Sequence, residues 1–155
     1  MSSCLLRTGY KSNKRVLLVD GDLRKPQIHF TFSYNNEVGL SSYLLNKCTF
    51  AEVVKESKIK NLSFVATGPL LRNSAELLDS DKLKDFIKEA KLKFDFVIFN
   101  NSPTSIVTDG VLVGNLADIN VIVLRQNFSY KDDLKLINDF AEQGAIKNLS
   151  QYLMM

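Results

Sequence analysis

The sequence predicts an α/β protein built on a mainly parallel sheet, and three observations carry that expectation. Short apolar runs alternate with longer segments of helical periodicity along the chain. Val16-Leu17-Leu18-Val19 lacks polar alternation, as a strand covered on both faces requires. Asp20, Thr67, Asn100 and Arg125 fall at or near the C-terminal ends of the predicted strands. Ligands bind at those ends in open α/β sheets.

Taken in order, VLLVD (16–20) is the first strand and GLSSYLLNK (39–47) a short helix. TFAEVVKES (49–57) reads as a second helix, with Thr49 and Glu52 at the spacing of a capping box. NLSFVAT (61–67) is a strand ended by Gly68-Pro69. SAELLDSDKLKDFIKEAK (74–91) is helical; Ser80 is placed to cap a second segment whose Leu83, Phe86 and Ile87 face inward. FDFVIFN (94–100) and DINVIVLRQ (118–126) are further strands, with a short helix and turn, TDGVLVGNLA (108–117), between them. YKDDLKLINDFAEQG (130–144) is a last helix, with Gly144 at its C-cap.

A length of 155 residues favours one domain, spanning 1–155. The chain is 45% hydrophobic and 24% charged, values that allow a real core. The net charge of +3 is too small to argue for nucleic acid, although residues 1–25 carry +4 of it. Cys4 and Cys48 stand apart, without metal-ligand spacing, and suit a reducing compartment. No stretch approaches the ~18 apolar residues of a membrane span.

The chemistry concentrates in VLLVDGDLRKPQIH (16–29). An apolar strand running into two carboxylates is costly unless something at its end uses them. If the strand continues, Asp20 and Asp22 point to the same side. Two such carboxylates repel unless a cation lies between or beside them. Magnesium suits them, being hard and prone to bridge oxygen ligands to phosphates. One carboxylate can instead orient or deprotonate a nucleophile. The same residues also suit a plain turn in which Arg24 neutralises the pair.

LLVDGDLRKPQIH resembles the Walker A′ segment of bacterial tyrosine kinases, the cytoplasmic domains that work in capsule and exopolysaccharide synthesis. VGLSSYL (38–44), ATGPLLRNSAELLDSDKL (66–83), FDFVIFNNSPTSIVTDG (94–110) and ADINVIVLRQ (117–126) resemble later segments of that family in the same order. The resemblance implies a three-layer fold of the P-loop NTPase type, close to the partition and septum-site ATPases. It implies Mg-ATP as cofactor and ATP-dependent phosphorylation of tyrosines. Asp20 maps to the carboxylate at metal and nucleophile, Asp22 supports it and approaches the substrate hydroxyl, and both serve a weak magnesium site. Arg24, Asn100 and Arg125 map to the nucleotide-binding residues. The implied partner is a membrane-anchored chain-length-determinant or polysaccharide co-polymerase protein, with a homo-oligomer as a further option and no nucleic acid. The implied location is the cytoplasm, at the inner face of the plasma membrane through a partner or an N-terminal region outside this sequence.

The sequence departs from the family pattern in three places. It has no G-x-x-x-x-G-K-[ST], the loop whose backbone N–H groups and lysine hold phosphates. Nineteen residues precede Asp20, fewer than the ~30 of a βαβ unit. The sheet should therefore lack its first strand and P-loop, and leave apolar surface uncovered. Asn100 stands where the family has a carboxylate, and an amide holds magnesium less well. Tyr152 is the only tyrosine after Tyr130, and the family's next strand is expected to be missing too. Both ends read as clipped. ATP binding by this chain should be weak or absent. The alternatives are a non-catalytic pseudokinase that docks on the co-polymerase, and a partition- or septum-type ATPase. His29 and Asp109 also match the family, but a turn or core role and helix capping account for them.

Overall fold

In a computed structural model, the structure describes residues 13–23, 25–70, 74–101, 109–125, 142, 144 and 149–154. The chain divides into two compact units, Met1–Ser105 and Ile106–Met155. In the first, the elements run β1 (Val16–Asp20), α1 (Ile28–Thr31), α2 (Leu40–Leu44), α3 (Phe50–Val53), β2 (Lys55–Glu56), β3 (Leu62–Val65), α4 (Ser74–Leu78), α5 (Asp81–Lys93) and β4 (Phe96–Asn100). The second holds α6 (Asp109–Gly114), β5 (Asn120–Arg125) and β6 (Leu149–Met154).

The sheet of the first unit has the order β2-β3-β1-β4. β1 pairs in parallel with β3 and with β4, and all five of its residues are buried. This is the burial that its unbroken Val/Leu run requires. Strand alternation sends Val16 and Leu18 to one face, where they pack with Ile28, Leu62 and Phe64. Phe32 stacks on Phe64 at 4.3 Å between ring centroids, and Tyr34 meets the same ring edge-on. On the other face Phe86 gathers the rings of Tyr43, Phe50 and Phe99 within 6.2 Å. α5 buries Leu83, Phe86, Ile87 and Ala90, and the first three are the inward positions that its periodicity predicts.

Local chemistry sets several boundaries. The capping box at α3 forms: Glu52 Oε2 accepts from the Thr49 N–H at 2.6 Å and the Thr49 hydroxyl at 2.7 Å. That helix is shorter than the sequence suggests. Lys55 and Glu56 leave it to pair antiparallel with Phe64 and Ser63, because an edge position was open beside β3. Ser80 sits at the N-cap of α5, but its hydroxyl donates back to the Leu77 carbonyl at 2.6 Å rather than accepting from the helix. The expected strand over 61–67 ends at Val65, and Gly68 adopts φ +83°, a left-handed turn suited to glycine.

The second unit corrects one expectation. The tail was expected to lack the family's next strand, yet Leu149–Met154 forms β6 and pairs in parallel with β5 along six residues. The alternation in LSQYLM is too weak to separate a strand from a turn in sequence. What fixes it is the apolar neighbour Val121-Ile122-Val123-Leu124. α6 forms where a short helix and turn were expected, and the Asn120 side chain donates to the Gly114 carbonyl at 2.9 Å. The helix expected over 130–144 lies almost wholly outside the described residues.

Candidate active site

The parallel register brings the C-terminal ends of β1, β3 and β4 to one edge of the first unit. Asp20 ends β1 opposite Asn100, the last residue of β4. The chain leaves β1 at once: the Gly21 N–H donates to the Asn100 carbonyl at 3.0 Å. A side chain at Gly21 would overlap Asn101 Oδ1, so the turn requires glycine for close approach rather than for an unusual φ.

Asp20 is fully buried, with 0% of its surface exposed. Its Oδ2 accepts from the backbone N–H groups of Gln27 at 3.0 Å and Ile28 at 2.9 Å, where α1 begins. Its Oδ1 has no hydrogen-bond partner. Burial pushes the carboxyl above its usual range, and the Ile28 and Gln27 N–H bonds, with smaller help from the Thr67 hydroxyl and the Asp22 N–H, only partly counter that. The Asp20 carbonyl also lies 3.5 Å from the Thr67 hydroxyl, a long contact, across the neighbouring strand end.

Asp22 takes a different part. The strand ends at Asp20, so the two carboxylates do not continue along one pleat. Asp22 is half-buried, and its Oδ1 accepts from the Lys25 N–H at 2.9 Å, closing a turn three residues on. The turn reading of this residue thus holds alongside any role toward a ligand. Arg24 lies outside the described residues. Arg125 ends β5, paired in register with Met154, in the second unit. His29 lies in α1, with Nδ1 buried and unpartnered and its ring 3.9 Å from that of Phe30.

Two features escaped sequence reasoning. Asn101, which reads as a turn residue beside Asn100, holds the second buried side-chain oxygen at this edge without a partner. No spacing rule could choose between adjacent asparagines; the chain reversal after β4 decides it. Asn36 is the other. Its amide donates to the Gly68 carbonyl at 2.7 Å while its oxygen accepts from the Gly68 N–H at 2.8 Å. Next to it, the Leu40 and Ser41 N–H groups donate to the carbonyls of Ala66 and Thr67, both at 2.8 Å. The start of GLSSYL is thereby held to the end of β3.

Asp20 Oδ1 is an unpartnered hard oxygen acceptor, which fits a hard cation like magnesium, or a bound donor, better than it fits a soft metal. Among the described residues no group of three or more His, Cys, Asp or Glu side chains comes together for a metal. A magnesium ion here would therefore lean on oxygens from its ligand and from water.

A mainly parallel sheet flanked by helices, with a buried carboxylate at the end of an inner strand, is an α/β fold of the P-loop NTPase type. Residues 1–148 match the family model described as an AAA domain, and the chain belongs to that family. Within it the kinship is with bacterial tyrosine-kinase domains. The chain is 40% identical over 122 residues to the tyrosine-protein kinase YwqD of Bacillus subtilis, covering 79% of this chain and 52% of that protein. It is 30% identical over 137 residues to the tyrosine-protein kinase ptk of Acinetobacter johnsonii, covering 88% of this chain and 19% of that one. The kinase domain of the Escherichia coli tyrosine kinase ETK superposes with a TM-score of 0.89 at 28% identity, covering 98% of this chain and 60% of that domain. The septum-site protein MinD of Pyrococcus horikoshii, solved with Mg-ADP, shares the fold with a TM-score of 0.70 at 17% identity. The chain thus spans about half the length of YwqD and less of the longer relatives.

Proposed function

We propose that the chain is the phosphoryl-transfer domain, or a part of it, of a bacterial protein-tyrosine kinase of a capsule or exopolysaccharide system, with residues 1–155 acting as one domain. The observation that carries this reading is Asp20: a fully buried carboxylate at the end of the central strand, with one oxygen unpaired. Bound Mg-ATP would supply the transferable phosphoryl group. Asp20, with Asn100 opposite it at the end of β4, would hold the metal. Asp22 would approach the tyrosine hydroxyl and take its proton, as a carboxylate near an acceptor hydroxyl can. Arg24 and Arg125 would meet phosphate oxygens. Tyrosines and a membrane-anchored co-polymerase are the proposed substrate and partner, at the cytoplasmic face of the membrane.

Binding by this chain should be weak. Its sequence has no G-x-x-x-x-G-K-[ST], so the backbone N–H cradle and lysine that neutralise β- and γ-phosphates are not supplied from within. The amide at Asn100 brings no charge to the metal. That last observation favours a second reading, a non-catalytic module that docks on the co-polymerase. Calorimetric titration of the 155-residue chain with Mg-ATP tests the proposal. The expected outcome is weak, magnesium-dependent binding that Asp20→Asn abolishes. Tight binding that survives Asp20→Asn refutes it. Binding of the co-polymerase without nucleotide, and without any nucleotide affinity, moves the assignment to the second reading.

A further inference from the structure

The three parallel strands of the first unit start at one rim, at the opposite end from Asp20. Their register sets Val16 of β1 beside Leu62 of β3 and Phe96 of β4. Residues 13–15, 57–61 and 91–95 lead into those strands. They hold six cations, Lys14, Arg15, Lys58, Lys60, Lys91 and Lys93, against one carboxylate, Asp95, with Glu56 and Glu89 bordering them. Two of the segments repeat one pattern, an aliphatic side chain between two lysines: Lys58-Ile59-Lys60 and Lys91-Leu92-Lys93. Ile59 is 46% exposed and Leu92 84%. A single exposed aliphatic needs no explanation. Two of them, each set between lysines at the same rim, call for one.

The backbone holds these tips outward. Around Ile59 the turn closes on itself. The Ile59 N–H donates to the Ser57 hydroxyl oxygen at 3.0 Å, the Leu62 N–H to the Ile59 carbonyl at 3.2 Å, and the Ser57 N–H to the Leu62 carbonyl at 3.1 Å. The Asn61 amide donates to Asn13 Oδ1 at 3.0 Å, which ties the turn to the segment before β1. Leu92 lies in the last turn of α5, off the buried stripe of that helix. Arg15, Ile59, Lys60 and Lys93 line one open depression of about 650 Å³, so the turn and the helix end belong to one surface. Part of the charge is engaged: Lys14 and Arg15 meet Asp95 at 3.5 and 3.8 Å, and Lys93 meets Glu89 at 2.8 Å. Such solvent-facing pairs exchange readily for other anions, because each contributes little. Lys58 and Lys60 form no ion pair with a described residue.

We propose that this rim docks on an anionic phospholipid bilayer, with Ile59 and Leu92 entering the headgroup region and the lysines beside them binding lipid phosphates. The inference is independent of the kinase reading, since none of these residues belongs to the candidate site. Lysine stems lie along apolar material while their ammonium groups stay with the phosphates, so a lysine on each side of an aliphatic tip suits a headgroup layer. Duplex nucleic acid fits worse: its phosphates use the cations but leave both aliphatic tips in water. A protein partner also fits worse, because interface centres are depleted in charge, whereas each tip here is enclosed by it. β1 runs five residues, roughly 16 Å, from this rim to Asp20, so docking leaves the candidate site at the far end of the strands, away from the bilayer.

The chain has no tryptophan, so Ile59→Trp places a single fluorescent reporter at the turn tip. The full 155-residue chain is titrated with vesicles of phosphatidylcholine and phosphatidylglycerol in equal parts, and with vesicles of phosphatidylcholine alone. Binding is read by co-sedimentation and insertion by tryptophan emission. The mixed vesicles should bind the chain and shift the emission to the blue, and the neutral vesicles should do neither. Binding should fade near 1 M salt, where screening confines charge attraction to about 3 Å. Lys58→Gln combined with Lys60→Gln should weaken binding about 25-fold, or about fivefold for each lysine near the surface. Leu92→Ser should weaken it without changing its salt dependence. All these side chains are exposed, so thermal melts of the variants should match the parent. Absence of co-sedimentation with the mixed vesicles at low salt overturns the proposal. So does undiminished binding by the double glutamine variant, which moves the lipid contact elsewhere on the chain. Emission that stays unshifted in bound Ile59→Trp overturns the insertion, and equal affinity for duplex DNA at matched phosphate concentration identifies nucleic acid as the partner instead.

Discussion

Replacing Asp20 separates the two things its carboxylate does. Asp20→Ala and Asp20→Asn both remove the charge, but only the amide keeps an oxygen for the Gln27 and Ile28 N–H groups. Ile28 is buried, so its orphaned donor costs about 1–3 kcal/mol. Gln27 is exposed and can bind water, so its bond contributes nearer 0.5–1 kcal/mol. The alanine variant should therefore be less stable than the asparagine variant by roughly 2–3 kcal/mol. The wild type adds a pH signature. Its carboxyl lies above the usual range because burial outweighs the hydrogen bonds it accepts. A carboxyl raised in the folded state favours folding when protonated, and that advantage is lost as pH rises through the raised value. The wild type should thus gain on the asparagine variant as pH falls toward 4 and lose ground toward neutrality. Urea melts followed by circular dichroism, at several pH values from 4.5 to 8, measure both effects; an m-value of about 1–3 kcal/mol/M makes the gap a midpoint shift near 1 M. Equal midpoints for alanine and asparagine would show that Asp20 does not hold the start of α1. A wild type that gains on asparagine as pH rises would show that burial does not penalise its charge.

Further outcomes follow from the core and the surface. Phe86→Ala should cost about 3–5 kcal/mol, since Phe86 is fully buried among Tyr43, Phe50 and Phe99, and thermal unfolding will show it. Gly39→Ala should destabilise by about 1–3 kcal/mol or more, because a methyl there runs into the Ala66 carbonyl and Gly68 nitrogen of the backbone, which cannot swing aside. Asp95 is held below the usual carboxylate range, chiefly by the Arg15 N–H bond and then by the Lys14 and Arg15 charges. Its contribution is present above the unfolded value near 3.8 and fades as pH drops through the lower folded value. Asp95→Asn should therefore destabilise at pH 6 and make little difference near pH 2, as paired melts at the two pH values will report.

Much of the fold was legible because hydrophobic pattern and local chemistry agreed. Val16–Asp20 had to be a doubly covered strand. The Thr49–Glu52 spacing had to cap a helix, and the stripe Leu83-Phe86-Ile87 had to face inward. What the pattern could not carry was pairing between distant residues. Lys55-Glu56 is a strand only because β3 offers an edge, and Leu149–Met154 only because β5 does. The candidate site was legible at Asp20, where an apolar run meets a carboxylate. It was not legible at Asp22, whose bond to Lys25 depends on where the strand stops, nor at Asn101, whose burial depends on the approach of Gly21.

The pairing of Asn36 with Gly68 has a consequence for what residue 36 can be. Its side chain reads the backbone of one residue twice, donor to acceptor and acceptor to donor, much as two bases read each other's edges. Shape alone does not meet that demand. Aspartate has the same outline but two acceptors, so it would face the Gly68 carbonyl with a second oxygen. Leucine has the volume and neither group. Position 36 is thus a complementarity check: only a side chain that both gives and takes a hydrogen bond at that reach ties the approach to GLSSYL onto the end of β3.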